Sequence, residues 1–212
     1  MKKPILLLLL FLLLALLVTS VARAQPAPGP LAVPPAMLDR VDREAEATLS
    51  RLYRLSPPAH ALVARAFGVL VVPGLRAEGG ILGVAYGRGV LIEASGERTY
   101  YNVIAGPAGA ILGLDGKAVV LFFSAHEALR AFLAGPGWIE GENGTIQILD
   151  ESAMAGPRAP TVAPIAGFIL SADRLLRGLS LSGSQFIKVP LVMCGDAPAA
   201  CAGATARRPA RP

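Results

Sequence analysis

Few side chains in this chain are placed to do covalent chemistry. Gly178-Leu179-Ser180-Leu181-Ser182 comes close to a nucleophile elbow. Its closing position holds Ser where the motif needs Gly, and the segment reads as a strand rather than a strand-to-helix turn. The two histidines, His60 and His126, both fall on expected helices. Two His and two Cys without ligand-type spacing make no zinc site. Glu140 and Glu142 lie in a Gly/Asn loop, where solvated charge is the default. Gly79, Gly80, Gly83, Gly87 and Gly89 form the densest glycine cluster. A phosphate loop needs a helix after such glycines, and here the strand-like Val90-Leu91-Ile92 follows. The glycines therefore read as bulges, turns and close backbone approaches in a curved sheet. The expectation is a non-catalytic chain with no metal and no cofactor.

Two sets of residues suggest something other than catalysis. Arg40, Arg43, Arg51 and Arg54 fall within about 80° of arc on a helix that advances 100° per residue. Leu38, Val41, Ala45, Leu49 and Leu52 occupy the opposite arc, a face made for burial. That leaves an outward stripe of guanidinium groups, which suit phosphate headgroups of an anionic lipid or membrane surface. The simpler reading is a solvated charged face. Cys194 and Cys201 are the two cysteines, close in sequence with Pro198 between them, and are expected to form a disulfide in an oxidising compartment. Asn143-Gly144-Thr145 matches a glycosylation acceptor, a motif frequent by chance.

The compartment is read from the N-terminus. Lys2 and Lys3 precede the unbroken apolar run Ile5 to Val18, and Ala22-Arg23-Ala24 offers small residues for signal peptidase. Residues 1–24 are expected to be removed between Ala24 and Gln25, leaving a periplasmic or secreted protein. The competing reading is an uncleaved anchor, since the apolar stretch extended through Val21 is borderline for spanning a bilayer. Pro/Ala-rich residues 25–35 read as a linker, 36–202 as one domain, and 203–212 as a disordered basic tail. The formal net charge is +5. Much of it comes from Lys2, Lys3 and Arg23 at one end and Arg207, Arg208 and Arg211 at the other. The body is near neutral, so the basic balance does not indicate nucleic-acid binding, which needs a clustered face.

The elements that must position these residues are read from periodicity and turn chemistry. Residues 36–54 form a helix. Ser56-Pro57-Pro58 caps a second one that runs to Phe67, with Gly68 as its C-cap. Strands are expected at 68–72, at 78–94 as a pair joined through Tyr86-Gly87-Arg88-Gly89, and at 99–104. A hairpin of 110–114 and 118–123 turns at Asp115-Gly116. Ser124 and Glu127 form a capping box for a helix through about Leu133. Further strands are expected at 145–149, 162–170 and 179–189. Without regular β-α-β alternation the fold class is α+β, a single domain dominated by antiparallel strands. The sheet should be curved or barrel-like, with N-terminal helices and one internal helix.

Gly68-Val69-Leu70-Val71-Val72-Pro73, followed by Glu78-Gly79-Gly80-Ile81-Leu82-Gly83-Val84-Ala85-Tyr86-Gly87-Arg88-Gly89-Val90-Leu91, resembles the signature of the SYLF domain family. The order of Tyr100-Tyr101-Asn102, Gly109 to Gly113, Val119 to Phe123 and Gly178 to Gly183 resembles it too, over about residues 36–190. Ile111 stands where many members have Gln, and Val72 where an aromatic is common. The resemblance implies a lipid-binding or adaptor domain. Eukaryotic members bind phosphoinositides and associate with actin, and bacterial members are exported. Actin association is not carried over to an exported chain. The expected function is thus lipid- or membrane-surface binding in the cell envelope. The alternatives are a structural or protein-interaction module without a lipid ligand, with a partner the sequence does not name, and a hydrolase with an unrecognised site.

Overall fold

The computed structural model describes residues 35–78, 84–105, 113–150, 152 and 161–190, which form one compact unit. Helix α1 (Pro35–Leu55) starts on a proline, whose missing N–H costs nothing in the first turn. Val41, Ala45 and Leu52 are buried and Leu38 and Leu49 half-buried, as the periodicity requires. Ser56 then caps α2 (Pro57–Val63), its hydroxyl accepting from the Ala59 N–H at 3.3 Å. Helix α2 is shorter than the sequence suggests. Phe67 donates its N–H to the Phe123 carbonyl, so the sheet claims it, and Gly68 opens a strand instead of closing a helix.

Among the described residues, ten strands form a single curled, half-barrel sheet. They are β1 (Gly68–Val72), β2 (Arg76–Glu78), β3 (Val84–Glu93), β4 (Arg98–Ala105), β5 (Ala118–Phe123), β6 (Gly137–Ile139), β7 (Gln147–Ile148), β8 (Ile165–Leu170), β9 (Leu175–Leu176) and β10 (Gln185–Lys188). The order along the sheet is β6-β10-β4-β3-β1-β5-β8-β7, with β2 beside β3 and β9 beside β8. Every pairing is antiparallel except β7 with β8. The α+β, antiparallel-dominated class read from the sequence is the class observed.

The central strands β5 and β8 are buried at every position, and both are continuous apolar runs because both sheet faces are covered. The outer face packs on α1 and α2 through Val71, Val90, Val120, Phe122 and Phe168. The inner face packs on α3 (His126–Ala134) around Phe132. The rings of Tyr101, Phe123, Trp138 and Phe186 stand 5.2, 5.0, 5.3 and 5.7 Å from that of Phe132.

Several local expectations are corrected. Residues 84–93 are one strand, without a turn at Gly87-Arg88-Gly89. The two glycines serve the close backbone approach expected of the cluster instead. A Cβ at Gly87 would lie 2.6 Å from the Gly74 carbonyl oxygen, and one at Gly89 2.7 Å from that of Val71. Asp115-Gly116 does turn the chain, and β5 pairs with β1 and β8, while residues 110–112 of the expected hairpin lie outside the described residues. The Asp115 carboxylate instead accepts the Ala77 N–H at 2.9 Å. No capping box starts α3. Ala125 is its N-cap, the Ser124 hydroxyl donates to the Ala163 carbonyl, and Glu127 pairs with Arg130. The last three expected strands shorten to β7, β8 and β10. Residues 179–182 keep the expected burial alternation outside any strand, Leu181 buried with Ser180 and Ser182 exposed.

Candidate functional site

Helix α1 is fixed on the sheet by its acidic edge. The Asp42 carboxylate receives the Arg98 guanidinium at 2.8 Å and the Tyr100 hydroxyl at 2.9 Å, and Glu46 lies 3.5 Å from Arg98. Burial and the bond to Asp42 push the Tyr100 phenol above its ordinary range. With that edge clamped on the start of β4, the N-terminal turns of α1 overhang β2, β3 and the far half of β4. A groove of about 610 Å³ opens there, lined by Met37, Arg40 and Glu44 from the helix and by Arg76, Tyr86 and Arg88 from the strands. A second cavity of about 400 Å³ adjoins it, sharing Glu44, Gly74 and Arg76 and adding Thr48, Arg51 and Leu75.

The register explains why these side chains meet. Arg76 faces Tyr86 across β2 and β3, and Tyr86 faces Ile104 across β3 and β4. One step along, Arg88 pairs with Asn102, and Asn102 with Ile187 of β10. All of these point outward, to the same side as Val90 and α1. Arg88 donates to the Asn102 carboxamide oxygen at 3.3 Å and also contacts the Met37 sulfur. The Tyr86 hydroxyl donates to Glu78 at 2.5 Å, and that bond raises its pKa.

Among the described residues, Arg40, Arg51, Arg76 and Arg88 make no ion pair. Four guanidinium groups thus border two joined cavities whose lining supplies one carboxylate, Glu44. The Arg51 Nε is enclosed and without a hydrogen-bond partner. The arrangement combines excess positive charge with apolar neighbours, a lining whose potential favours an anion.

The arginine stripe expected on α1 therefore divides. Arg40 lines the groove, Arg43 and Arg54 are exposed, and Arg51 is half-buried over the second cavity. Sequence reasoning missed Arg76, Tyr86 and Arg88. Reading 84–93 as one strand would have placed Val84, Tyr86 and Arg88 on one face by period two.

The other candidates are placed apart. His60 packs at a tilt against Tyr53 and His126 against Phe67, with ring centroids 4.3 and 5.5 Å apart. The Ser180 hydroxyl accepts the Ser182 N–H. Glu140 accepts the Gly183 N–H, and the Asn143 side-chain oxygen accepts the Ile139 N–H, so both serve their loops. Gly79, Gly80, Gly83, Cys194 and Cys201, together with residues 1–24, lie outside the described residues. Among the described residues, no group of His, Cys, Asp and Glu is arranged to hold a metal, and no helix is long and apolar enough to cross a membrane. Comparison with known proteins finds no matching family model and no curated protein that the chain matches.

Proposed function

We propose that this domain is a non-catalytic module that binds anionic lipid surfaces in the cell envelope, after export and cleavage at Ala24/Gln25. The observation that carries the reading is the set of arginines without ion pairs, Arg40, Arg51, Arg76 and Arg88, gathered along the groove and its adjoining cavity beside exposed apolar side chains. Guanidinium forks match phosphate oxygens in geometry as well as charge. The likeness of residues 36–190 to SYLF domains points to the same ligand class.

The test is co-sedimentation of the mature protein with phosphatidylglycerol vesicles and with phosphatidylcholine vesicles. Binding is expected to the first alone, and to fade as salt passes about 0.15 M, where the Debye length is near 8 Å. Each basic residue near an anionic surface contributes about 1 kcal/mol. The triple variant Arg40→Gln, Arg76→Gln, Arg88→Gln should therefore partition about 100-fold less, with an unchanged far-UV spectrum. Equal affinity for both vesicle types, or none for either, overturns the proposal. N-terminal mass spectrometry of the exported form should find Gln25 first, and an intact Met1 in the membrane fraction would mean an anchor.

A further inference from the structure

The described residues with large exposed apolar side chains are Phe67, Val84, Tyr86 and Ile187. Three of the four share one place. Val84, Tyr86 and Ile187 are 39, 40 and 38% exposed, and alternation puts all three on the outer face of the β2-β3-β4-β10 side of the sheet. Their inward-pointing neighbours Ala85, Val103 and Phe186 are sealed to 1% or less. Helix α1 packs on this same face around Val90 and overhangs the groove through Met37 and Arg40, and Val84, Tyr86 and Ile187 stay partly exposed beside it. A patch of large apolar groups on an otherwise well-packed domain marks a contact surface.

Its border indicates what it contacts. Arg76 sits directly opposite Tyr86 and Arg88 two residues along the same strand, with Arg40 overhanging from α1. A protein partner of ordinary composition would meet this face with mixed charge. A surface that is apolar at the centre and cationic at the rim, with a phenol between the two, instead complements the headgroup-to-acyl boundary of an anionic bilayer. The one carboxylate near the phenol, Glu78, is already occupied by the Tyr86 hydroxyl.

We infer that this open face is the membrane footing: Val84, Tyr86 and Ile187 enter the bilayer interface while Arg40, Arg76 and Arg88 hold lipid phosphates around them. The inference rests on the anionic-surface reading above and adds an orientation and a depth to it. Contact is shallow insertion by strand side chains, not adsorption through Arg43 and Arg54, the exposed arginines of α1 away from the groove.

The experiment uses introduced tryptophans. The chain has one Trp, Trp138, which is 3% exposed in the inner core and serves as a constant background. Val84→Trp, Ile187→Trp and, as control, Ala131→Trp on the exposed side of α3 are mixed with phosphatidylglycerol vesicles carrying lipids brominated near the top of the acyl chains. Val84→Trp and Ile187→Trp should shift to the blue and be quenched several-fold more than Ala131→Trp. Separately, Val84→Asp and Ile187→Asp, both at exposed positions, should each reduce vesicle binding about tenfold with every arginine in place. Wild-type binding accompanied by quenching no greater than the control's means that another face docks, and overturns this inference while leaving the lipid reading standing. Absence of vesicle binding in the wild type overturns both. If Val84→Asp turns a dimer into a monomer and leaves vesicle binding intact, the patch belongs to a second copy of the chain, and the inference fails.

Discussion

The two faces of the sheet use the same strands in opposite ways. On β3 the inward residues are Ala85, Gly87, Gly89 and Leu91, and the outward ones Val84, Tyr86, Arg88 and Val90. Ala85, Gly87 and Gly89 are small and point in, where the curl brings Gly74 and Val71 backbone close, while Val84, Tyr86 and Arg88 point out and stay exposed, and only Val90 beyond them is buried with α1. The inner face gains its order from aromatic rings collected on Phe132, and the outer face spends part of its area on unpaired arginines and exposed side chains. Stability and binding are thus separated by strand alternation, and substitutions one residue apart should have unrelated consequences.

The largest expected contrast sets Phe132 against Tyr86. Phe132 is 1% exposed and touches four rings, so Phe132→Ala should cost about 3–5 kcal/mol, the usual range for emptying an aromatic core site. Tyr86→Ala removes an outward ring and one surface hydrogen bond, and should cost no more than about 1 kcal/mol. Denaturant unfolding followed by Trp138 emission measures both. Similar costs would mean that the outer face is as structural as the inner.

Next comes the strand itself. Gly89→Ala puts a methyl 2.7 Å from a carbonyl oxygen and 2.9 Å from Val72 Cγ2, and a backbone atom cannot give way cheaply. The expected loss is about 1–3 kcal/mol, as for other overpacked sites. Arg88→Ala, one position away and facing out, should stay within about 0.5 kcal/mol in the same unfolding experiment.

Alkaline pH distinguishes the faces in another way. Burial pushes the Tyr101 phenol far above its ordinary range on the inner face, with Glu93 adding to the effect. A phenol with its pKa raised by folding stabilises fully while pH stays below its unfolded value, about 10. That contribution is lost as pH climbs from there toward the folded pKa, because the unfolded chain then releases the proton first. Stability should therefore be insensitive to this group below pH ~10 and fall above it. The Tyr101 hydroxyl is buried without a hydrogen-bond partner. Tyr101→Phe should leave neutral-pH stability equal or higher and flatten the alkaline fall, as read by unfolding midpoints from pH 7 to 11. An unchanged alkaline slope would place the titrating group elsewhere.

What could be read in advance follows the range of the interactions involved. The α1 face and the Ser56 cap depend on neighbours within a few residues, and the sequence displays them. The end of α2 was misread because Phe67 bonds to Phe123 across the sheet, a partner no local pattern reveals. Gly87 and Gly89 were misread as a turn because the backbone that demands them, Val71 to Gly74, approaches only after the sheet curls. The site was half legible for the same reason. Arg40 and Arg51 declare themselves by helical spacing, whereas Arg76 and Arg88 join them only through strand pairing.

The smallest stability effect is also the sharpest test of that site. Arg51 lies half-buried, with its Nε enclosed and unpartnered, and lines the second cavity together with Pro73 and Leu75. A donor in that state contributes little to holding the fold, and its aliphatic stem is what packs. Methionine keeps the stem length and the helix propensity while removing the charge. Arg51→Met should accordingly change stability by no more than about 0.5 kcal/mol, and a small gain is as acceptable as zero. Its vesicle binding should drop about fivefold, the equivalent of the roughly 1 kcal/mol carried by one cation near an anionic surface. Arg54→Met, exposed in the last turn of α1, supplies the opposite pattern. It should lose a few tenths of a kcal/mol from the helix dipole, with little change in binding. If Arg51→Met instead destabilises by more than about 1 kcal/mol with binding intact, the guanidinium belongs to the packing of α1 on the sheet, and the second cavity plays no part in the site.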